Sequence, residues 1–370
     1  MQRGDFVSPN IQKKTTHREI RFVCNLNIRQ LTLVSLAKLS QVFAVFWTVL
    51  AAILIFLTLV VLAVFVFFYF SQKPLVNFLR NLGGEGESVI PPQNYEEYRS
   101  QVRLEKDLIY ASNYPANRYD LYRPNNSTGD EPVIIWAHGG GFVAGRKEGT
   151  EHLCTMLSSL GYVVASMDYA LAPEYKYPVA IEQVGELGRH LKEEGFNLER
   201  VFLGGDSAGA HIISLYAATE TNQALAKAMD FQPVHKPETL RGVILCCGPF
   251  DLVAIGRVNL KLRFLTWVLA RAYFGVPFWH RSKEVKRSNV VENVTAQYPP
   301  TYITDGNTGS FEVQGRRLGN KLRSLGVPVQ ELYFKPERGE IPHEYLFLLD
   351  TQEALEGFHD LAEFLEQHSA

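Results

Sequence analysis

This sequence contains few cysteines, and its net charge is close to zero. Four of its 370 residues are cysteine, and their irregular spacing fits neither a disulfide scaffold nor a zinc site. The sequence leaves open whether a disulfide joins Cys154 to Cys246 or Cys247. The formal net charge is −2 and no basic array is present, so the sequence gives no electrostatic reason to expect nucleic-acid binding.

Charged residues are missing altogether from one stretch, residues 42–70, which reads VFAVFWTVLAAILIFLTLVVLAVFVFFYF. A membrane-spanning helix needs about 20 apolar residues, and this run is longer. We therefore predict a transmembrane anchor over residues 42–70 rather than a buried core helix. A cleavable signal peptide does not fit, because the run is too long and about 40 residues precede it.

Basic residues are distributed unequally around this run. Those before it are Arg3, Lys13, Lys14, Arg18, Arg21, Arg29 and Lys38. In the short segment after it, Lys73 and Arg80 are the basic residues. The positive-inside rule then predicts that residues 1–41 form a cytosolic N-terminal segment, with the catalytic domain on the lumenal or extracytoplasmic side. Glycosylation sequons begin at Asn125, Asn126 and Asn293. They suit that side in a eukaryote, although such triplets also arise by chance.

Residues 71–103 are predicted to form a connector that also contributes to the cap, and strand and helix patterns alternate beyond it through residues 104–370. The segments predicted as strands are 120–122, 133–138, 161–169, 201–207, 242–248, 301–306 and 329–334. Such alternation is typical of parallel strands with crossover helices, so we predict one α/β domain. Residues 252–298 carry helical patterns only, which predicts a cap or lid insertion. Its aromatic residues are expected to pack on the core rather than enter a membrane.

A serine lies between glycines in GDSAG, residues 205–209, after the apolar run VFL and before the helical run HIISLYAA. That strand–turn–helix context is the one required for the nucleophile elbow G-x-S-x-G. Taken alone, Ser207 could equally be an ordinary helix N-cap. Other segments have to decide between the two.

Three consecutive glycines follow another predicted strand in HGGGF, residues 138–142. They are costly in conformational entropy and make sense where the backbone must approach a ligand closely. An HGGG loop is associated with an oxyanion hole, which the N–H after the nucleophile completes. We predict that Gly140, Gly141 and Ala208 supply its donors.

The catalytic base is expected last in chain order, after the final strand. His343 lies there, in a loop before the last helix, and is the predicted base. His359 falls within a helical pattern and His368 in the tail, so both are expected to be solvated. His211 follows Ser207 too closely and is expected to pack or to support the oxyanion loop.

The segments HGGGF, DYALAPEYKYP (residues 168–178) and GDSAG together resemble the hormone-sensitive-lipase-like family of α/β-hydrolases. The whole architecture is similar to that of arylacetamide deacetylase-like members, which share these motifs and an N-terminal anchor. The resemblance implies an α/β-hydrolase fold, with a mostly parallel sheet flanked by helices and a helical cap. It also implies an esterase or lipase with a serine triad and no metal or organic cofactor.

The acid of the triad is less clear, because the usual Asp-Pro-Leu-type motif of the family is replaced here by TDGNTGSFEVQG. Asp305 and Glu312 are the candidates, and the strand end favours Asp305. Asp305 could instead be a turn residue. Asp251 is a third candidate, although capping of the first lid helix is its expected role.

These observations predict a membrane-anchored serine carboxylesterase or lipase that hydrolyses small-molecule or lipid esters through an acyl-enzyme. An amide deacetylase with the same triad is the alternative within the enzyme class. A catalytically silent binding protein with a hydrolase fold is the alternative outside it. The acyl chain, the alcohol and the oligomeric state are left open.

Overall fold

The computed structural model of the protein describes residues 12–82, 90–255 and 260–369. The chain divides into two compact units, Met1–Tyr69 and Phe70–Ala370. The described part of the first unit belongs to one helix, α1 (Gln12–Phe70). Within it, Arg29–Phe67 is long and apolar enough to cross a membrane, a test that a signal sequence near the N-terminus also passes.

The second unit contains an eight-stranded sheet. Its strands are β1 (Val102–Ile109), β2 (Arg118–Pro124), β3 (Val133–Ala137), β4 (Val163–Met167), β5 (Val201–Asp206), β6 (Leu240–Cys246), β7 (Thr301–Asp305) and β8 (Val329–Tyr333). They lie in the order β1-β2-β4-β3-β5-β6-β7-β8. The first two pairings of this order are antiparallel and the remaining five are parallel.

Along the chain, the helices of the second unit precede, separate and follow these strands. They are α2 (Lys73–Leu82), α3 (Tyr95–Arg99), α4 (Glu151–Ser159), α5 (Val179–Glu193), α6 (Ala208–Thr221), α7 (Gln223–Met229), α8 (Leu252–Ile255), α9 (Leu260–Phe274), α10 (Lys283–Arg287), α11 (Val290–Asn293), α12 (Glu312–Ser324) and α13 (Gln352–His368). The structure confirms the predicted α/β-hydrolase architecture of a mostly parallel sheet flanked by helices.

Burial explains why the central strands are visible in the sequence. Every residue of β3, β4, β5 and β7 is buried, which is the pattern of parallel strands covered on both faces. β1 is an edge strand in which four of the eight residues are exposed, so its apolar pattern is weaker than that of the central strands. Residues 71–103, predicted as a connector that contributes to the cap, contain helices α2 and α3 and the first residues of β1.

The described residues of the lid region, 252–255 and 260–298, form helices joined by loops, and no strand is found among them. Tyr273 and Phe274 pack into the main core, which agrees with the expected packing of the lid aromatics. Phe264 departs from it, because 58% of its surface is exposed. Asp251 caps α8 as expected, since its Oδ1 accepts hydrogen bonds from the backbone N–H groups of Val253 and Ala254 at 3.1 Å.

The cysteine question left open by the sequence is answered by this core. Cys154, Cys246 and Cys247 are all buried and free, so no bridge forms between Cys154 and the other two. Their packing between sheet and helices accounts for their presence without any redox role.

Candidate active site

Ser207 occupies the sharp turn between β5 and α6, with backbone angles φ 48° and ψ −114°. A positive φ is strained for a residue with a side chain. The Ser207 N–H donates to the carbonyl oxygen of Cys246 at 2.8 Å, which fixes the turn to the neighbouring strand. Ser207 occupies the N-cap position of α6, but its side chain makes no capping hydrogen bond to the helix.

The flanking glycines are required by packing. A Cβ atom on Gly205 would lie 2.6 Å from the carbonyl carbon of Gly209. A Cβ atom on Gly209 would overlap the carbonyl oxygen of Ala137, at the end of β3. The start of α6 therefore lies directly against the segment that leads into the HGGG loop.

His343 reaches the serine from the loop between β8 and α13. Its Nε2 atom lies 3.0 Å from the Oγ atom of Ser207, within hydrogen-bonding distance. The loop is held in place because the His343 N–H donates to the carbonyl oxygen of Thr308 at 3.0 Å. Phe311 meets the imidazole edge-on, with ring centroids 5.2 Å apart.

Asp305 lies on the other side of this imidazole, at the C-terminal end of β7. The carboxylate is buried, and its Oδ1 atom is 3.5 Å from His343 Nδ1. Its Oδ2 atom accepts a hydrogen bond from the Phe311 N–H at 2.6 Å, which orients the group. Glu312 is the first residue of α12, and its Oε1 atom accepts a hydrogen bond from Arg316 Nε at 2.7 Å. Within the described part of the chain, no hydrogen bond or ion pair joins Glu312 to His343.

The HGGG loop bends back on itself beside Ser207. Gly140 and Gly141 have φ of 112° and 60°, in the region that favours glycine. The carbonyl oxygen of Gly140 accepts from the N–H groups of Val143 and Ala144, which closes the turn. Ala208 is the first residue of α6, so its N–H has no acceptor inside the helix.

Asp206 was not singled out from the sequence, although it precedes the serine in GDSAG. Its Oδ2 atom accepts a hydrogen bond from the Gly139 N–H at 2.6 Å, and its Oδ1 atom accepts one from the Trp136 indole at 2.9 Å. The carboxylate thus ties the nucleophile turn to the HGGG loop. Only the tertiary structure reveals this role, because nothing in the motif indicates the direction of the side chain.

His138 supports the loop from beneath and remains neutral. Burial lowers its pKa to about 4. The ring stacks on Tyr169, whose hydroxyl donates to the His138 carbonyl oxygen at 2.9 Å. The neighbouring Asp168 accepts a hydrogen bond from the Lys147 N–H at 2.9 Å. Burial nevertheless raises the pKa of this carboxyl to about 6.

Arg80 of α2 holds the far side of the loop. Its guanidinium donates to the carbonyl oxygens of Val143 at 2.6 Å and Ala172 at 2.9 Å. It also pairs with Glu174 at 2.9 Å. At the sequence level this arginine was counted only as a charge after the anchor.

His211, on the first turns of α6, packs as expected. Burial lowers its pKa to about 4, and its Nδ1 atom hydrogen-bonds to the carbonyl oxygen of Pro249 at 2.7 Å. The ring meets Phe142 edge-on at 5.5 Å and so supports the last residue of the HGGGF segment.

A cleft of about 690 Å³ runs along the HGGG loop and reaches Asp206. One wall comes from α2 through Leu79 and from α9 through Leu265 and Leu269. Its size lies within the range of small-molecule sites. The cleft gives a substrate room along the HGGG loop, next to the residue that precedes Ser207.

Cys247, His343 and Glu344 bring three potential metal-ligating atoms within 4.8 Å of one another. Burial raises the pKa of the Cys247 thiol well above its usual value, so the thiol stays protonated and is a poor ligand. The imidazole nitrogen Nε2 already faces Ser207. The three residues therefore fit the serine site better than a metal centre.

The arrangement can move a proton along a short chain, from the serine hydroxyl to the imidazole, with a carboxylate behind the ring. Such a chain activates a serine for attack on a carbonyl carbon. The residues predicted as nucleophile, base and favoured acid come together, and the alternative acid does not.

The chain is similar to several known proteins. The model of the BD-FAE family matches residues 119–313. Esterase LipI from Mycobacterium tuberculosis is 31% identical over 207 residues, which cover 54% of this chain and 62% of that protein. A probable isoprenylcysteine alpha-carbonyl methylesterase, ICMEL1 from Arabidopsis thaliana, is 34% identical over 283 residues, covering 68% of this chain and 57% of that protein.

Among solved structures, esterase B from Lactobacillus Rhamnosis superimposes with a TM-score of 0.64 at 22% identity, covering 74% of this chain and 90% of that one. This likeness establishes the fold. The chain spans about three-fifths of the length of the two curated relatives it matches, at 62% and 57%.

The raised pKa of Asp168 makes a prediction about stability. The folded state binds its proton up to about pH 6, whereas an unfolded aspartate releases it near its ordinary pKa of 3.8. This contribution to the free energy of unfolding is therefore present at low pH and is lost as the pH rises through 6. Asparagine at position 168 has no such pH-dependent contribution to lose. As the pH rises from 4.5 to 7.5, we therefore expect the free energy of unfolding of Asp168→Asn, relative to that of the parent, to increase by about 2 kcal/mol.

Urea unfolding of both proteins at the two pH values measures this difference. Asp350→Asn, at an exposed carboxylate, serves as the control, and its free energy of unfolding relative to that of the parent should change little between the two pH values. Equal changes in Asp168→Asn and Asp350→Asn would contradict the assigned role of burial.

Proposed function

Because this chain belongs to the BD-FAE family, within the hormone-sensitive-lipase-like α/β-hydrolases, we propose that it is a carboxylic ester hydrolase with Ser207 as its nucleophile. The observation that carries the proposal is the 3.0 Å contact between His343 Nε2 and the oxygen of a serine held at a strained turn. The named esterases among the similar proteins support the same reaction class.

In the proposed reaction, Ser207 Oγ attacks the ester carbonyl carbon while His343 Nε2 takes the hydroxyl proton. The bond from this carbon to the alcohol oxygen then breaks, and His343 returns the proton to the leaving alcohol. Water attacks the resulting acyl-enzyme, again with His343 as base. The carboxylic acid leaves and Ser207 recovers its proton.

Asp305 is the proposed acid of this triad. Its carboxylate would hold the Nδ1–H tautomer of His343 and stabilise the imidazolium that forms in each half-reaction. The N–H groups of Gly140, Gly141 and Ala208 are the proposed donors to the oxyanion of the tetrahedral intermediate. The helix start at Ala208 adds a favourable positive dipole end.

The strained serine also argues against a silent binding protein. Backbone strain of this kind costs of order 1–3 kcal/mol, and a receptor pocket gains nothing from it. A nucleophile does gain from this strain, because the sharp turn presents the serine hydroxyl to a substrate. Hydrolysis of amides by the same residues differs only in the leaving group, so a parallel amide substrate separates that alternative.

Ser207→Ala removes the nucleophile. We expect hydrolysis of a short-chain p-nitrophenyl ester to fall by about 10⁴-fold or more, because the triad acts as a unit. Ser159→Ala, on α4, is the matched control and should keep parental kcat/KM. An active Ser207→Ala protein would rule out the proposal. Faster cleavage of the matching p-nitroanilide than of the ester by the parent would favour the amide alternative.

Asp305→Asn and Glu312→Gln separate the two candidate acids. Since Asp305 faces His343 and Glu312 pairs with Arg316, we expect kcat to fall by about 10⁴-fold in Asp305→Asn and to stay within about twofold in Glu312→Gln. Ester hydrolysis by the two purified variants measures this. The reverse order of activities would make Glu312 the acid.

We also propose that α1 anchors the enzyme in a membrane, with residues 1–41 in the cytosol and the catalytic unit on the opposite side. The uncharged run in α1 and the basic residues that precede it support this orientation. In sealed microsomes, external protease should leave the catalytic unit intact until detergent is added. Digestion of that unit without detergent would reverse the proposed orientation.

A further inference from the structure

Some of the exposed apolar side chains of the second unit lie on the two helices that line the cleft. Of its ten described large apolar residues that are exposed, three lie on α2 and α9: Phe78, Phe264 and Leu265. Phe78 and Phe264 are 57% and 58% exposed. We call these three residues the apolar rim. Two exposed phenylalanines on adjacent helices are unusual for a surface that faces only water.

The two helices that carry the rim are packed together and onto the HGGG loop. Val76 of α2 is fully buried in a small apolar cluster with Ala272 of α9 and with Val143 and Ala172. The guanidinium of Arg80 adds the two hydrogen bonds to this region described above. The rim is therefore a fixed part of the catalytic unit rather than a loosely attached segment.

The rim is continuous with the cleft. Leu79 follows Phe78 on α2, and Leu265 follows Phe264 on α9. Both leucines, together with Leu269, line the cleft that runs to the HGGG loop. An apolar path therefore leads from the outer surface at Phe78 and Phe264 into the cleft along the HGGG loop, as far as Asp206.

The position of α2 in the chain, directly after α1, indicates what covers this rim. Two residues, Ser71 and Gln72, separate the end of α1 from the start of α2. Two residues reach at most about 7 Å, so if α1 crosses a bilayer, α2 begins at the bilayer surface. Exposed Lys73 and Arg263 stand near the apolar side chains in sequence, as is typical of helices that lie in a membrane interface.

We infer that the apolar rim inserts into the lipid surface from which α1 emerges, and that the substrate is a bilayer-resident ester with a long apolar chain. The ester enters the cleft sideways between α2 and α9, without passing through water. This inference rests on the proposed ester hydrolysis and membrane anchoring, and it adds the route and the class of substrate.

The test uses the full chain reconstituted in phosphatidylcholine vesicles with the catalytic unit outside. Phe78→Ser/Phe264→Ser removes the two aromatic rim residues. Ile109→Ser/Val313→Ser is the matched control, because these side chains are 61% and 80% exposed but lie on β1 and α12. Each protein is assayed on a long-chain acyl ester held in the same vesicles and on soluble p-nitrophenyl acetate.

We expect the rim variant to lose about tenfold in kcat/KM on the vesicle ester relative to its own rate on p-nitrophenyl acetate, because less apolar surface enters the lipid. The control variant should keep the parental ratio of the two rates. A parental ratio in the rim variant, or an equal loss in the control, would overturn the inference.

Direct insertion is read separately, with a fluorescent bimane label on Phe264→Cys or Ile109→Cys in vesicles containing brominated phosphatidylcholine. Quenching at position 264 but not at position 109 supports the inference, and equal quenching overturns it. A detergent-solubilised dimer that dissociates on Phe78→Ser/Phe264→Ser would show that a second copy covers the rim, which also overturns it.

Failure of the proposed function gives a different result. If Ser207→Ala keeps full activity on both esters, the assignment of the nucleophile is wrong, whatever the rim does. If Ser207→Ala is inactive and the rim variant matches the parent in rates and quenching, the serine esterase stands and the lipid route alone is refuted.

Discussion

The close approach of the start of α6 to the end of β3 constrains the whole site. Gly205 and Gly209 allow it, since a Cβ on either would meet backbone atoms. The turn between β5 and α6 then forces Ser207 to a positive φ, at a cost of order 1–3 kcal/mol. The packing of the buried strands around it outweighs that cost and keeps the hydroxyl beside His343.

The same approach organises the loop that faces the serine. The Asp206 carboxylate, one residue before Ser207, bonds to the Gly139 N–H and to the Trp136 indole. The nucleophile turn and the HGGG loop are thus held by one side chain and move together. The neutral His138 and the hydroxyl of Tyr169 support this loop from beneath. A rigid arrangement of this kind suits a site that must present N–H groups to a developing charge.

Much of this was visible in the sequence, for physical reasons. Parallel strands buried on both faces have a recognisable apolar pattern. The order of the GDSAG and HGGG segments and His343 singled out loops that lie together in the structure. The sequence left Asp305 and Glu312 open, because a choice between them depends on how the segment after β7 folds. In the structure, the 3.5 Å approach to His343 belongs to Asp305.

Other features had little or no local signal. The edge strand β1, with four of its eight residues exposed, shows only a weak pattern. The bonds of Arg80 to Val143 and Ala172 join residues that are 63 and 92 positions apart in the chain. Helix α2 lies in the segment predicted as a connector that contributes to the cap, and the sequence did not show that it buttresses the HGGG loop and lines the cleft. Contacts of this range follow from the tertiary fold and not from neighbouring residues.

The central claim is that the fold makes one serine, Ser207, a nucleophile. Incubation of the full chain with a fluorophosphonate, followed by peptide mass spectrometry, tests it most directly, because the reagent labels only a serine activated by its neighbours. The account predicts a single adduct on the peptide that contains Gly205–Gly209, at Ser207. An unlabelled protein, or an adduct on another serine, would contradict it.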